Sequence, residues 1–91
     1  KDDLLVKLYN LDPGNVAHLA GEITGRREQM MQRLYLYETI RRRHYGQPNE
    51  LPTRRKGVYL ALALGIRQGE QFLAWCDEAL DLLATIDSEV R

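Results

Sequence analysis

A heptad repeat of apolar and small residues runs through the segment 59–83 and restricts the fold more than any other pattern in the chain. An apolar residue recurs every seven positions, and another apolar or small residue follows each of them three positions later. This spacing is typical of a long α-helix that packs along one stripe against another helix. The first positions are Tyr59, Ile66, Leu73 and Leu80, and the second positions are Leu62, Gly69, Cys76 and Leu83.

Two other segments show helical periodicity, and no segment shows the alternation of apolar and polar residues that is expected of a strand. We predict a first helix over 2–11, a second over about 13–45 and a third over about 53–86. The segment 47–53 contains two prolines and should form an open loop. A short loop between two long helices makes an antiparallel hairpin. The predicted fold is therefore all-α, a short helix followed by a long antiparallel helical hairpin, in one domain over 1–91.

Residue types at the helix boundaries agree with these limits. Asp12 can cap the second helix, and Pro13 suits its first turn. Thr53 can cap the third helix. Each of the first two helices has one apolar stripe. In the first helix these residues are Leu4, Leu5, Leu8 and Leu11, and in the second they are Val16, Leu19, Ile23, Met30, Leu34 and Tyr37.

The third helix also has a second apolar face, which a hairpin does not need. At 100° per residue, Leu64, Trp75 and Leu82 point away from Ile66 and Leu73, with Phe72 at the margin. Apolar surface that a small domain leaves exposed marks an interaction site. We expect a second copy of the chain to cover it, so that the molecule is packed or entwined as a homodimer. The alternatives are that the first helix folds over Trp75 in a monomer, or that the face docks on a different protein.

Two glycines in the third helix suggest that another helix approaches closely. A glycine inside a helix costs about 1 kcal/mol relative to alanine, but it removes side-chain bulk from one face. Gly69 lies in the heptad stripe and Gly65 lies beside it. We expect a helix of the partner chain, or the first helix, to cross closest near Gly65.

The sequence offers little support for catalysis, cofactor binding or membrane insertion. His18 and Glu22 are four residues apart, but two side chains do not hold a metal well, so a helical surface pair is expected. Cys76 occupies a stripe position and should be a buried structural thiol. The longest apolar run, 58–66, is far shorter than the roughly 20 residues that span a bilayer. We therefore predict no enzyme activity, no cofactor, no metal and no membrane contact.

Charge is balanced over the whole chain but not along it. The formal net charge is zero, which gives no general attraction to nucleic acid. The segments 41–43 and 54–56 are each three consecutive basic residues, whereas the last part of the chain is acidic. Both basic segments should lie at the tip of the hairpin. Solvation, or pairing with the acidic end of a partner, is expected ahead of direct phosphate contact.

The chain resembles the C-terminal domain of PadR-like transcriptional regulators, in particular the branch with a large C-terminal domain that includes the AphA-type virulence activators. That pattern has a Leu-Leu-x-x-Leu-Tyr/Phe motif in its first helix. In its last helix it has a Gly-Ile pair, then a tryptophan nine residues after the isoleucine, in a run that ends in Ala-Leu. The matching residues are Leu4, Leu5, Leu8, Tyr9, Gly65, Ile66, Trp75, Ala79 and Leu80.

The resemblance implies a bacterial, cytoplasmic regulator in which an N-terminal winged helix binds DNA and the C-terminal helices form a homodimer. The winged helix is missing here, so DNA is expected as a partner only through that absent domain, and no effector pocket is identified. Residues expected in the dimer interface or the core are Leu4, Leu8, Leu64, Gly65, Ile66, Gly69, Phe72, Leu73, Trp75 and Leu82.

Overall fold

The computed structural model describes the backbone of residues 3–90 and the side chains of residues 3–86. Helix α1 spans Asp3–Tyr9, α2 spans Val16–His44 and α3 spans Thr53–Val90. A single 3-10 turn, Pro48–Glu50, lies between α2 and α3. No strand occurs in this described part of the chain. The prediction of an all-helical fold with a short helix and a long hairpin is confirmed.

Helices α2 and α3 pack side by side and form an elongated hairpin with overall dimensions of 58 × 23 × 15 Å. Every residue of the heptad stripe on α3 is buried or half-buried on the side that packs against α2. On the opposite side of the helix pair from α1, Arg27 donates a hydrogen bond to the Asp77 carboxylate at 2.9 Å, which joins α2 to α3. The heptad repeat therefore identified the contact between the two long helices correctly.

The core lies at the end of the hairpin where α1 packs. Leu19, Ile23 and Cys76 are fully buried there, and Leu4 of α1 closes the cluster. Burial raises the pKa of the Cys76 thiol above its ordinary value, because a thiolate would lose its hydration. Cys76 is therefore a buried structural thiol, as its stripe position predicted.

Helix α1 presents only part of its predicted stripe to the core. Leu4 is buried and Leu8 is half-buried, but Leu5 is 53% exposed, so its assignment to the packed side was wrong. A seven-residue helix makes fewer than two turns, and its hairpin neighbours cover only one narrow side of it. Leu5, Val6 and Tyr9 form an outer apolar face, which we call the outer face of α1.

The connection between α1 and α2 differs from the prediction. Helix α2 begins at Val16, so Pro13 lies in the preceding turn and not in the first turn of the helix. The Asp12 carboxylate accepts hydrogen bonds from the backbone amides of Gly14 (2.7 Å) and Asn15 (3.0 Å). Asp12 thus stabilises a tight turn before the helix, because its side chain satisfies these amides locally.

Of Gly65 and Gly69, it is Gly69 that the side chains of α2 approach closely. A Cβ atom on Gly69 would lie 2.8 Å from Leu34 Cδ2 and 2.9 Å from Met30 Sδ. A Cβ atom on Gly65 would meet only the Tyr37 ring of α2, at 3.5 Å, which is ordinary contact. Helix α1 is therefore not the element that crosses Gly65. A crossing by a partner chain at Gly65 stays a prediction.

Aromatic and basic side chains meet at the tip of the hairpin. The rings of Tyr45 and Tyr59 lie 6.0 Å apart, and the Arg55 guanidinium lies 5.1 Å from the centre of the Tyr45 ring. A cation over an aromatic face is attracted by the negative face of the ring. These contacts close the hairpin where the chain reverses.

Candidate dimer interface

The second apolar face predicted on α3 is present and is largely uncovered. Leu60, Leu64 and Leu82 are 65%, 59% and 66% exposed, respectively, and lie on the side of α3 that faces away from α2. We call this side of the helix the outer stripe of α3. Its residues from one end to the other are Gly57, Leu60, Ala61, Leu64, Gln68, Gln71, Trp75, Glu78, Ala79 and Leu82.

Helix α1 covers one end of the outer stripe. Leu8 and Leu11 line a shallow hollow together with Trp75, Ala79 and Leu82. The Trp75 ring also stacks on Phe72, with ring centres 5.8 Å apart. The alternative in which the first helix folds over Trp75 is thus correct for this end of α3, where Trp75 is half-buried. Leu60 and Leu64, nearer the tip, receive no such cover.

A salt bridge holds α1 in place. The Lys7 ammonium donates a hydrogen bond to the Glu22 carboxylate of α2 at 3.0 Å and also lies 3.3 Å from the Asp3 carboxylate. This hydrogen bond lowers the pKa of Glu22 below its ordinary value of 4.5 and raises the pKa of Lys7 above its ordinary value of 10.5. The pair of His18 and Glu22 predicted on α2 is therefore replaced by contacts of Glu22 with Lys7 and Arg26.

The Lys7–Glu22 pair makes the attachment of α1 dependent on pH. The lowered pKa of Glu22 stabilises the fold above about pH 4.5, and this contribution is lost as the pH falls through the folded-state pKa. The raised pKa of Lys7 stabilises the fold below about pH 10.5, and this contribution is lost as the pH rises through the folded-state pKa of Lys7. We expect acidification from pH 7 to pH 3 to destabilise the wild type more than Glu22→Gln, as measured by urea unfolding. Glu28→Gln, at an exposed carboxylate of the same helix, is the control and should follow the wild type.

The described residues contain no group of three side chains that could hold a metal ion. A hollow of about 310 Å³ lies between α2 and α3, lined by Arg26, Gln29, Met30, Arg33 and Phe72. It is open to solvent, and Arg26 already pairs with Glu22 at 3.2 Å. Over the part of the chain that the structure covers, no helix has the length and apolar character needed to cross a membrane.

The ten residues expected in the interface or the core separate into three groups. Of the ten, only Leu64 and Leu82 are exposed, and both lie on the outer stripe. The buried residues are Leu4, Ile66 and Gly69, and the half-buried residues are Leu8, Gly65, Phe72, Leu73 and Trp75. Leu60 was not among the ten predicted residues, although it precedes Leu64 by one helical turn. The outer face of α1 was not predicted as an exposed apolar surface either. Other large apolar side chains are exposed on α2, namely Met31, Tyr35 and Leu36.

The single chain exposes more surface than a globular protein of its mass. Its accessible area is 6938 Å² for 10.6 kDa, whereas a compact monomer of that mass exposes about 5,500 Å². The Cα radius of gyration is 17.7 Å, against about 12 Å for a compact domain of this length. The excess of about 1,400 Å² is larger than the roughly 800 Å² that each partner contributes to a standard protein interface.

Comparison with known proteins places this fold in a regulatory family. A protein of Mycobacterium tuberculosis named as a probable transcriptional regulator is 33% identical over 81 residues, which are 89% of this chain and 43% of that protein. The chain thus spans less than half the length of this relative. No solved structure resembles the chain at a significant level. The family described as the virulence activator alpha C-terminal region matches residues 1–84. The chain therefore belongs to the virulence activator alpha C-terminal family.

Proposed function

We propose that this chain is the dimerisation domain of a PadR-like, AphA-like transcriptional regulator. Its role is to hold two winged-helix domains, each joined to the N-terminal side of one copy, at a fixed separation. The uncovered outer stripe of α3 is the observation that carries this proposal, because no other element within the described residues covers Leu60 and Leu64. The similarity to a probable transcriptional regulator supports the regulatory part of the role.

A dimer of this kind contributes to operator binding without touching DNA. Two winged helices related by a twofold axis meet the two half-sites of a pseudo-palindromic operator, so half-site spacing follows from the geometry of the dimer. Linking the two modules raises the effective concentration of the second after the first has bound. The neutral net charge of this domain agrees with a role in pairing, not in DNA contact. In this role the domain is not an enzyme, and it acts in the bacterial cytoplasm where the DNA lies.

Sedimentation equilibrium tests the proposal directly. We expect the wild-type chain to sediment with twice its chain mass of 10.6 kDa at tens of micromolar. Leu64→Glu places a charge in the middle of the outer stripe and should weaken the dimer by roughly tenfold or more, because a carboxylate buried without a partner is costly. Leu36→Glu is the matched control, since Leu36 is similarly exposed but lies on α2.

Two results would contradict this function. A wild-type chain that stays monomeric at tens of micromolar would remove the dimer and favour a helical adaptor that docks on a different protein. A dimer that responds to Leu36→Glu but not to Leu64→Glu would move the interface from α3 to α2.

A further inference from the structure

The positions of the outer stripe of α3 have the same spacing when they are read from either end. Gln68 and Gln71 lie at its centre. Leu64 lies four positions before Gln68, and Trp75 lies four positions after Gln71. Leu60 and Ala79 are each eight positions from the nearer glutamine. The stripe therefore has a polar centre with mainly apolar residues on each side, and Glu78 is the charged exception.

An antiparallel pair of such helices would match these positions to one another. A twofold axis between Gln68 and Gln71 places Leu64 against the partner's Trp75 and Leu60 against the partner's Ala79. The central glutamines face the partner's glutamines, where their amides can donate and accept hydrogen bonds. Because Leu8 of α1 lines a hollow with Trp75 and Ala79 in each chain, this arrangement also brings the partner's α1 close to Leu60.

The charges along one flank of the outer stripe distinguish antiparallel from parallel pairing. On a helical projection, Lys56, Arg67, Glu70 and Asp81 lie on the same flank, in the order basic, basic, acidic, acidic. All four side chains are exposed, and none forms an ion pair with another described residue. A parallel twofold pair would place these four residues on opposite sides of the interface in the two chains, where they could not pair with one another.

In the antiparallel register, opposite charges face each other. Lys56 comes within two residues of the position opposite the partner's Asp81, an axial offset of about 3 Å. The position opposite Arg67 is likewise two residues from the partner's Glu70, which is the same axial offset. Twofold symmetry preserves the flank, so both pairs occur twice in the dimer. Long basic side chains readily bridge such an offset.

We propose that α3 pairs with α3 of a second copy, antiparallel, about a twofold axis between Gln68 and Gln71, with Leu64 against the partner's Trp75 and Arg67 against the partner's Glu70. This inference rests on the proposed dimerisation and adds its register, its direction and its contact residues. The excess accessible surface of the single chain is large enough for such an interface.

Charge reversal at positions 67 and 70 provides the test. Arg67→Glu makes positions 67 and 70 both acidic, and Glu70→Arg makes both of these positions basic. We expect each variant alone to form a homodimer roughly tenfold weaker than the wild type at low salt, since like charges then face each other. An equimolar mixture of the two variants should form a heterodimer about as tight as the wild-type dimer. A repulsion confined to one chain cannot be relieved by mixing, so rescue identifies a contact between chains.

Matched controls are available on α2. Glu28→Arg and Arg33→Glu make the same changes of charge at exposed positions and should leave the dimer constant unchanged, alone or mixed. Circular dichroism of every variant verifies that the helices are intact. A mixture of Arg67→Glu with Glu70→Arg that associates no better than the separate variants overturns the register. A wild-type chain that does not dimerise at all overturns the proposed function instead.

Cysteine cross-linking gives an independent measurement of the same geometry. Gln68→Cys mixed with Gln71→Cys should form a disulfide-linked heterodimer under mild oxidation, whereas Leu36→Cys mixed with Gln71→Cys should not. The native Cys76 is buried and does not compete. Equal cross-linking in both mixtures would contradict the placement of the twofold axis.

Discussion

Leu19→Ala should lower the free energy of unfolding by about 2–5 kcal/mol, the range found when a buried leucine is truncated and leaves a cavity. Leu19 has no exposed surface and packs in the cluster that joins α1, α2 and α3. Loss of its side chain removes apolar contacts with two other helices at once. Urea unfolding at fixed protein concentration measures the effect, because the stability of a dimer depends on concentration.

Leu36→Ala provides the matched control. It makes the same chemical change on the same helix, but Leu36 is 55% exposed, so the expected change is within about 0.5 kcal/mol. The change in helix propensity is shared by both variants and cancels in the comparison. Similar losses of stability for the two variants would mean that the core does not lie where the structure has it.

Gly69→Leu should destabilise the fold by about 3 kcal/mol, near the upper end of the usual cost of overpacking. Even the smaller change to alanine should be unfavourable. A Cβ atom at this position would lie 2.8 Å from Leu34 Cδ2 and 3.1 Å from Leu34 Cγ, so the buried Leu34 side chain has to move. We expect this crowding to exceed the gain of about 1 kcal/mol in helix propensity. Thermal and urea unfolding of both variants measure the effect.

Two comparisons separate crowding from propensity. Gly65→Ala has ordinary contact with Tyr37 and should stabilise the fold by up to about 1 kcal/mol. In a background that carries both Met30→Ala and Leu34→Ala the space beside Gly69 is free, so Gly69→Ala should there become stabilising. Such a change of sign is the non-additivity expected of residues in direct contact. A Gly69→Ala variant that is more stable than the wild type would show that Leu34 and Met30 move aside at no cost. A destabilising Gly65→Ala would instead support a partner helix that crosses Gly65.

The long hairpin could be predicted from the sequence because its apolar residues recur at a regular spacing. Heptad spacing on α3 and the stripe on α2 each repeat over several turns, so single ambiguous residues do not alter the result. The outer stripe was recognisable for the same reason. Its symmetry, with Leu64 and Trp75 on either side of two glutamines, became meaningful only once exposure had been established.

The predictions that were wrong depend on the positions of a few atoms and not on a repeating sequence pattern. The choice between Leu4 and Leu5 on α1 rests on how a seven-residue helix is rotated, which its neighbours decide. Asp12 serves as well in a turn as in a helix cap, so its type alone cannot locate the start of α2. Gly65 and Gly69 of α3 are one turn apart, and only the position of Leu34 shows which of them lies at the close approach.

The ring contact between Tyr45 and Tyr59 has a consequence for how the chain folds. It closes a loop of only 14 residues, whereas the Arg27–Asp77 hydrogen bond joins residues that are 50 positions apart. The entropy lost on closing a loop grows with the logarithm of its length, so the tip costs about 1 kcal/mol less to form. Once the tip has formed, each further turn of α2 meets its neighbour on α3 across a short remaining gap. The hairpin can therefore zip from the tip towards its far end, where Ile23 and Cys76 come together late.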